Sequence, residues 1–134
     1  LPVASMKNGA EDFSFSGLKT AVVNLVNAAD EKPGNADVCA SFQEAVATAI
    51  SRKTVHAAVS RGIKNIVFAG GVASNAALRK RLGDDARAAG LSVIIPEAKY
   101  CTDNAAGTAS AGCFKFKKKQ FAGLDLEADS SAGY

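Results

Sequence analysis

The stretch that decides the fold reads VFAGGVASNAALRKRL and covers residues 67–82. It predicts a short buried strand, a turn at Gly70 and Gly71, and a helix from about Ser74 to Ala89. Bare backbone N–H groups at such a turn, together with the positive end of a helix dipole, favour the binding of an anion such as a phosphate. Spacing alone supports equally well a structural role, in which the two glycines supply a positive φ or allow close packing.

A second apolar strand, predicted over residues 91–96, follows this helix. With the first strand, at residues 65–69, it forms a β-α-β unit whose two strands should be parallel. The predicted class is a single helix-rich α/β domain. The remaining predicted segments are helices at about residues 17–29, 36–61 and 102–114, and an extended tail over residues 115–134.

Apolar residues at helical spacing predict which helix faces are buried. Ser16 is a plausible N-cap of the first helix, and Gly62 and Gly90 are natural residues to end the second and third helices. The residues predicted to face the core are Leu18, Ala21, Val22, Leu25 and Val26 in the first helix, Val38, Phe42, Val46 and Ile50 with Ala45, Ala49 and Ala57 beside them in the second, and Leu78 and Leu82 in the third.

Length and composition are those of an ordinary globular domain. The chain has 134 residues, of which 48% are hydrophobic and 22% charged, and a formal net charge of +3. No apolar run is long enough to span a membrane.

The three cysteines form no C-x-x-C pair, which argues against a cysteine zinc site and favours reduced thiols in the cytoplasm. A start without Met and a parallel sheet of only two strands both predict that the sequence is a piece of a longer protein.

Polar residues follow both predicted strands at the edge where ligands bind in open α/β sheets. Gly70 and Gly71 follow the first strand, and Asp103 lies a few residues beyond the second. A carboxylate beside a phosphate site is repulsive unless a cation lies between the two, which would make Asp103 a metal ligand. The residues alone favour the alternative, in which Asp103 lies in the first turn of a helix because acids stabilise helix N-termini.

The other polar candidates are weaker. Asn75 is a possible ligand contact, although the residues alone favour helix capping as its role. His56 has no second histidine at helical spacing and indicates a surface or core residue. The basic run at residues 115–119, interleaved with Phe114 and Phe116, suits a nucleic-acid backbone, but a solvated face is the commoner meaning of such a run.

Several motifs together resemble one family. They are FSFSGLKTA at residues 13–21, FQEAV at 42–46, GGVASN with LR at 70–79, and CTDNAA at 101–106, and their order and spacing agree from about residue 12 to 126. This pattern is similar to the tRNA N6-adenosine threonylcarbamoyltransferase family, formerly called O-sialoglycoprotein endopeptidase. The resemblance covers the C-terminal portion of that family, with Ser74 and the pair Gly107–Thr108 as departures from its usual pattern.

The resemblance implies part of an ASKHA fold, that is, the C-terminal subdomain of an actin-like ATPase with RNase H-like architecture. It implies transfer of a threonylcarbamoyl group from threonylcarbamoyl-AMP to N6 of adenosine 37 in tRNAs that read ANN codons. Asp103 matches a ligand of the family's iron or zinc ion, and Asn75, Gly70 and Gly71 match residues that bind the nucleotide-bearing substrate. The family's other metal ligands lie in an H-x-x-x-H motif that this sequence lacks, so we expect the 134 residues alone to be inactive and to retain no metal.

The partners implied by the resemblance are tRNA, threonylcarbamoyl-AMP or an adenine nucleotide, a paralogous ASKHA subunit and an ATPase subunit, in the cytoplasm and without a membrane. No residue is assigned as a general base. Two alternatives stay open: a metallopeptidase, as the former family name states, and a non-catalytic ASKHA scaffold. The presence of CTDNAA argues against the scaffold, because the family's degenerate partner typically lacks it.

Overall fold

A computed structural model describes residues 1–3, 12–28 and 33–127 of the chain. Within these residues the α/β class is confirmed, as four α-helices accompany a small parallel sheet. The elements are α1 (Ser16–Ala28), α2 (Asn35–Ser60), β1 (Asn65–Val67), α3 (Ala76–Ala88), β2 (Ser92–Ile94) and α4 (Ala105–Lys117), with short 3₁₀ turns at Gly71–Ser74 and Ala98–Tyr100.

The sheet confirms the predicted parallel pairing. Strands β1 and β2 are neighbours, with Ile66 opposite Val93 at the centre of the register. The chain segments that follow them therefore leave the sheet at the same edge. Behind the sheet, Ile66 joins Ala58 of α2, Ala86 of α3 and Leu91 in one buried cluster.

Glycine ends both helices that flank the sheet, as predicted. After α2, Gly62 adopts a φ of 66°, and the amides of Gly62 and Ile63 donate to the carbonyls of Val59 and Ala58. After α3, Gly90 adopts a φ of 70° and the same pair of bonds forms to Arg87 and Ala86. This double bond pattern satisfies carbonyls that would otherwise lack a partner, and the left-handed φ favours glycine.

Helices α2 and α3 form the main packing interface. Leu78 and Leu82 of α3 are buried, as predicted. The prediction for α2 is confirmed only in part: Ala45 and Ala49 are buried, but the large residues of the predicted face are at most half-buried and Phe42 is exposed. The α2 side chains that are buried are small ones, which allow the two helix axes to approach closely. They are Ala45, Ala47, Thr48, Ala49, Ser51 and Ala58.

A polar network also joins α2 to α3. The carboxylate of Asp85 accepts a 2.7 Å hydrogen bond from the buried hydroxyl of Ser51 and a 2.9 Å hydrogen bond from Arg81. Arg81 also donates to Glu44 at 2.6 Å, and Thr48 donates to the same carboxylate oxygen at 3.0 Å. The hydrogen bond from Ser51, followed by the interaction with Arg81, holds the pKa of Asp85 below its ordinary value.

The lowered pKa of Asp85 makes a pH-dependent contribution to stability. A group whose pKa is lower in the folded state stabilises the fold above its unfolded pKa, and the contribution is lost as the pH falls through the folded pKa. We expect Asp85→Asn to lower the free energy of unfolding by about 1–2 kcal/mol near neutral pH. The difference from wild type should shrink below about pH 4. Urea unfolding measured across this range checks the prediction.

Asp84 is the matched control for Asp85. Its pKa is also lowered, chiefly by the hydrogen bond from Lys80, but the pair is exposed and contributes little to stability. Asp84→Asn should therefore leave the free energy of unfolding almost unchanged at every pH. Equal effects of the two substitutions would contradict a special role for the contact with Ser51.

Helix α1 differs from its prediction. It begins at Ser16 itself rather than at Gly17, and the first backbone bond runs from Lys19 to the carbonyl of Phe15, so Ser16 is not the N-cap. Of the predicted apolar face, only Leu18 is buried, whereas Leu25 and Val26 are exposed. The predicted last residue, Ala29, lies outside the described residues.

Helix α4 runs to Lys117, three residues beyond its predicted end and into the segment predicted as an extended tail. None of its residues is buried.

Within the described residues, the side chains of Val67 and Ile94 in the sheet are also exposed. No helix in the described part of the chain is long and apolar enough to cross a membrane.

Candidate functional site

The glycine turn lies between β1 and α3. Gly70 adopts a φ of 93°, a backbone conformation that residues other than glycine rarely adopt. The predicted helix is confirmed but begins two residues later than expected, at Ala76, because a 3₁₀ turn over Gly71–Ser74 comes first. In that turn the amide of Ala73 donates to the carbonyl of Gly70 at 2.9 Å. Gly70 and Gly71 are both exposed, so a ligand can approach their backbone.

Asn75 is the N-cap of α3. Its Oδ1 accepts a 3.0 Å hydrogen bond from the amide of Leu78, which confirms the capping interpretation. Its Nδ2 donates to the Oε1 of Gln43 in α2 at 3.2 Å. The two bonds fix the amide plane, and the exposed side chain stands beside the glycine turn.

Arg79 connects the two segments that follow the strands, a role that the sequence did not reveal. Its Nε donates to the carbonyl of Ala73 in the glycine turn. Its Nη2 donates to the carbonyl of Pro96 at 2.9 Å and to the sulfur of Cys101 at 3.1 Å. The glycine turn and the start of CTDNAA are therefore held within the span of one guanidinium group.

Asp103 lies directly before the N-cap of α4, so the prediction that it occupies the first turn of this helix is wrong. Asn104 is the N-cap, and its Oδ1 accepts a 2.9 Å hydrogen bond from the amide of Gly107. Asp103 is exposed, and no hydrogen bond or ion pair in the described part of the chain engages its carboxylate.

The described residues do not form a complete metal site. In residues 1–3, 12–28 and 33–127, no group of three or more His, Cys, Asp and Glu side chains could hold a metal ion. His56 is exposed in α2, which agrees with a surface histidine. Asp103 offers a free carboxylate, but within these residues it belongs to no group of three or more potential metal ligands.

An apolar groove of about 750 Å³ opens beside the glycine turn. It separates α1 from α2 and reaches the start of α3, and the exposed faces of α1 and α2 form its walls. Lys19, Gln43 and Asn75 are among the few polar side chains that border it. A mostly apolar groove with a few polar groups is typical of small-molecule sites. Its apolar lining includes Phe15, Val22, Phe42, Val46, Val72 and Leu78.

Comparisons with known proteins agree on one family. The sequence model of TsaD, tRNA N6-adenosine threonylcarbamoyltransferase, matches residues 1–110. A curated relative of that name from Moorella thermoacetica is 43% identical over 130 residues, and one from Fusobacterium nucleatum is 42% identical over 139 residues. One from Desulfotalea psychrophila is 46% identical over 121 residues.

These alignments cover most of this chain but a minor part of each relative. They span 95%, 98% and 86% of the chain, and 38%, 41% and 35% of the respective relatives. The chain thus spans well under half the length of the curated relatives it matches. Since the family model matches more than half of the residues, the chain belongs to the TsaD family of tRNA N6-adenosine threonylcarbamoyltransferases.

Proposed function

We propose that the chain forms part of an enzyme that transfers a threonylcarbamoyl group from threonylcarbamoyl-AMP to adenosine 37 of tRNA. The new bond joins N6 of the adenine to the carbamoyl carbon. The bond from that carbon to a phosphate oxygen breaks, AMP leaves, and N6 loses a proton. Membership in a family whose curated relatives carry this name is the main support.

The glycine turn suits the AMP part of the substrate. An exposed backbone at Gly70 and Gly71 allows close approach of a phosphate to N–H groups, and Asn75 stands next to them with its amide plane fixed. The groove continues from Asn75 between α1 and α2, and its apolar walls suit a flat adenine ring. We place the phosphate at the turn and the base in the groove.

The parallel β1–β2 pair, with helices on one side and an exposed strand face, is compatible with part of an ASKHA domain. In that arrangement the edge that carries the glycine turn faces a cleft. We propose Asp103 as one ligand of a divalent iron or zinc ion whose other ligands lie outside the described residues. Because those ligands are not among the residues described, no catalytic step is assigned to the ion.

The direct test uses the complete protein that contains this chain. It is incubated with threonylcarbamoyl-AMP and an unmodified tRNA that reads an ANN codon, and the nucleosides are analysed by mass spectrometry. The expected product is threonylcarbamoyladenosine at position 37. Absence of this product, with cleavage of a glycoprotein by the same preparation, would support the peptidase alternative instead.

Substitutions at Asn75 separate ligand binding from helix capping. Asn75→Asp keeps an oxygen that caps Leu78 but places a negative charge beside the proposed phosphate site. We expect AMP to bind the complete protein at least tenfold more weakly, by calorimetry, with the free energy of unfolding nearly unchanged. Asn75→Ala removes the cap and should cost about 1 kcal/mol of stability.

The order of the two Asn75 variants tests whether a phosphate lies beside residue 75. If it does, the aspartate variant should bind AMP more weakly than the alanine variant, although it is the more stable of the two. If no phosphate lies there, AMP affinity should follow stability, and the alanine variant should be the weaker binder.

A further inference from the structure

The end of α4 carries a dense positive charge that nothing in the described chain neutralises. Lys115, Lys117, Lys118 and Lys119 are all exposed, and none makes an ion pair within the described residues. From Asn104 to Leu124 the sequence contains no acidic residue. These four positive charges exceed the formal net charge of +3 of the whole chain, so the excess of positive over negative charge is concentrated at the end of α4.

Aromatic rings are exposed among these cations. Phe114, Phe116 and Phe121 are 65%, 69% and 68% exposed, respectively. Phe116 and Phe121 contact each other edge to face, with ring centroids 5.8 Å apart, which holds the segment after the helix against its last turn. We call the surface formed by these three rings and the four lysines the cationic-aromatic surface.

The backbone at this surface carries a lysine where glycine would be expected. Lys119 has a φ of 55°, and the amides of Lys119 and Gln120 donate to the carbonyls of Phe116 and Lys115. The same bond pattern ends α2 and α3, where glycine occupies the left-handed position. A lysine there costs conformational energy that glycine would avoid, and strain of this kind is often retained at binding surfaces.

Complementing the helix dipole explains only part of this arrangement. Cations are favourable near any helix C-terminus, so the lysines alone would be unremarkable. The dipole explains neither three exposed aromatic rings nor a lysine in a left-handed conformation. Rings and cations together are the features of proteins that bind single-stranded nucleic acid, where bases stack on the rings and phosphates contact the cations.

We propose that the cationic-aromatic surface binds tRNA, with lysines on phosphates and phenylalanine rings on unpaired bases near the target adenosine. This inference rests on the proposed function. The preceding part of α4 is rich in Ala, Gly, Ser and Thr and has no broad apolar face, which disfavours a lipid surface as the occupant.

The position of the surface relative to Asp103 suits this role. Asp103 lies just before α4, and the lysines are at the opposite end of the helix. A helix of 13 residues, at about 1.5 Å per residue, separates them by about 20 Å. The surface is too far away to contact the reacting base itself, but phosphates and unpaired bases of nearby nucleotides in the same loop come within its reach.

The first test removes the four charges. A variant of the complete protein with Lys115, Lys117, Lys118 and Lys119 all changed to Gln is titrated with an unmodified anticodon stem–loop RNA over a series of KCl concentrations. We expect at least tenfold weaker binding than wild type. The slope of log Kd against log[KCl] should fall by about one for each lysine that contacts a phosphate. Wild type and the quadruple variant are also titrated with vesicles of anionic phospholipid, so that binding to RNA and to lipid can be compared.

Two further variants provide a control and a second test. Changing Lys64 and Lys80 to Gln removes two positive charges away from the surface, since Lys64 precedes β1 and Lys80 pairs with Asp84 at 2.6 Å. RNA affinity should then stay within about twofold of wild type. Lys119→Gly relieves the left-handed strain, so its thermal midpoint should equal or exceed that of wild type while RNA affinity falls two- to threefold.

The outcomes separate this proposal from the proposed function. If the quadruple variant binds RNA like wild type, and wild type modifies tRNA, the surface is not an RNA site although the enzyme assignment stands. If its only loss is binding to the vesicles, the surface is a lipid site and the proposal is wrong. If wild type neither binds nor modifies tRNA, both proposals are overturned.

Discussion

Asp103→Ala is expected to reduce tRNA modification by the complete protein by more than about 100-fold, because removal of groups that only support a metal ligand already costs about 10- to 100-fold. The variant should fold normally, since Asp103 is exposed and Asn104 supplies the cap of α4. The content of bound iron and zinc, measured by elemental analysis of the complete protein, should fall together with the activity.

Glu97→Ala is the matched control for Asp103→Ala. Glu97 is an exposed carboxylate in the same connection between β2 and α4, and it pairs with Lys99 at 2.8 Å. Its removal should leave both modification and metal content close to wild type. Retained modification in Asp103→Ala, or an equal loss in Glu97→Ala, would exclude a specific role for Asp103.

The sequence predicted best what local chemistry determines. A left-handed residue after a helix favours glycine, so Gly62 and Gly90 marked two helix ends correctly. The connection of two short apolar strands through one helix allowed a parallel pairing, which the register of Ile66 with Val93 confirms. Each of these features depends on a few adjacent residues or on chain connectivity.

Predictions that needed a packing partner were less successful. The apolar spacing of α1 and α2 correctly indicated helices, yet Val26 and Phe42 are exposed because periodicity does not show what covers a face. In α2 the buried side chains are small, and the pattern predicted Ala45 and Ala49 among them but not the others, such as Ser51. Small residues, some of them polar, have little hydropathy contrast with an exposed face, so the spacing revealed this face only in part.

The candidate site shows the same division. Helix capping by Asn75 follows from a local rule and is confirmed. Asp103 was predicted in the first turn of α4, but Asn104 is the N-cap of this helix, so the carboxylate lies outside that turn. The role of Arg79 depends on three acceptors that come together only when both strands are paired. It could therefore not be predicted from any short stretch of the sequence.

Leu82→Ala is expected to have the largest effect on stability, lowering the free energy of unfolding by about 3 kcal/mol. Leu82 is fully buried in α3. In the described residues, the only other large aliphatic side chains that are buried are Leu18, Ile66, Leu78 and Leu91, and the remaining buried apolar residues are alanines and Cys101. Since few side chains supply the apolar burial of this core, each one contributes a large share of it.

Two substitutions test whether buried volume is the cause. Leu82→Met nearly conserves volume and should cost less than about 1.5 kcal/mol. Leu124→Ala makes the same chemical change at a fully exposed position and should alter stability by less than about 0.5 kcal/mol. In urea unfolding of the complete protein, Leu82→Ala should lower the midpoint without changing the m-value. If Leu82→Ala and Leu124→Ala shift the midpoint equally, the α2–α3 interface is not the part of the core that limits stability.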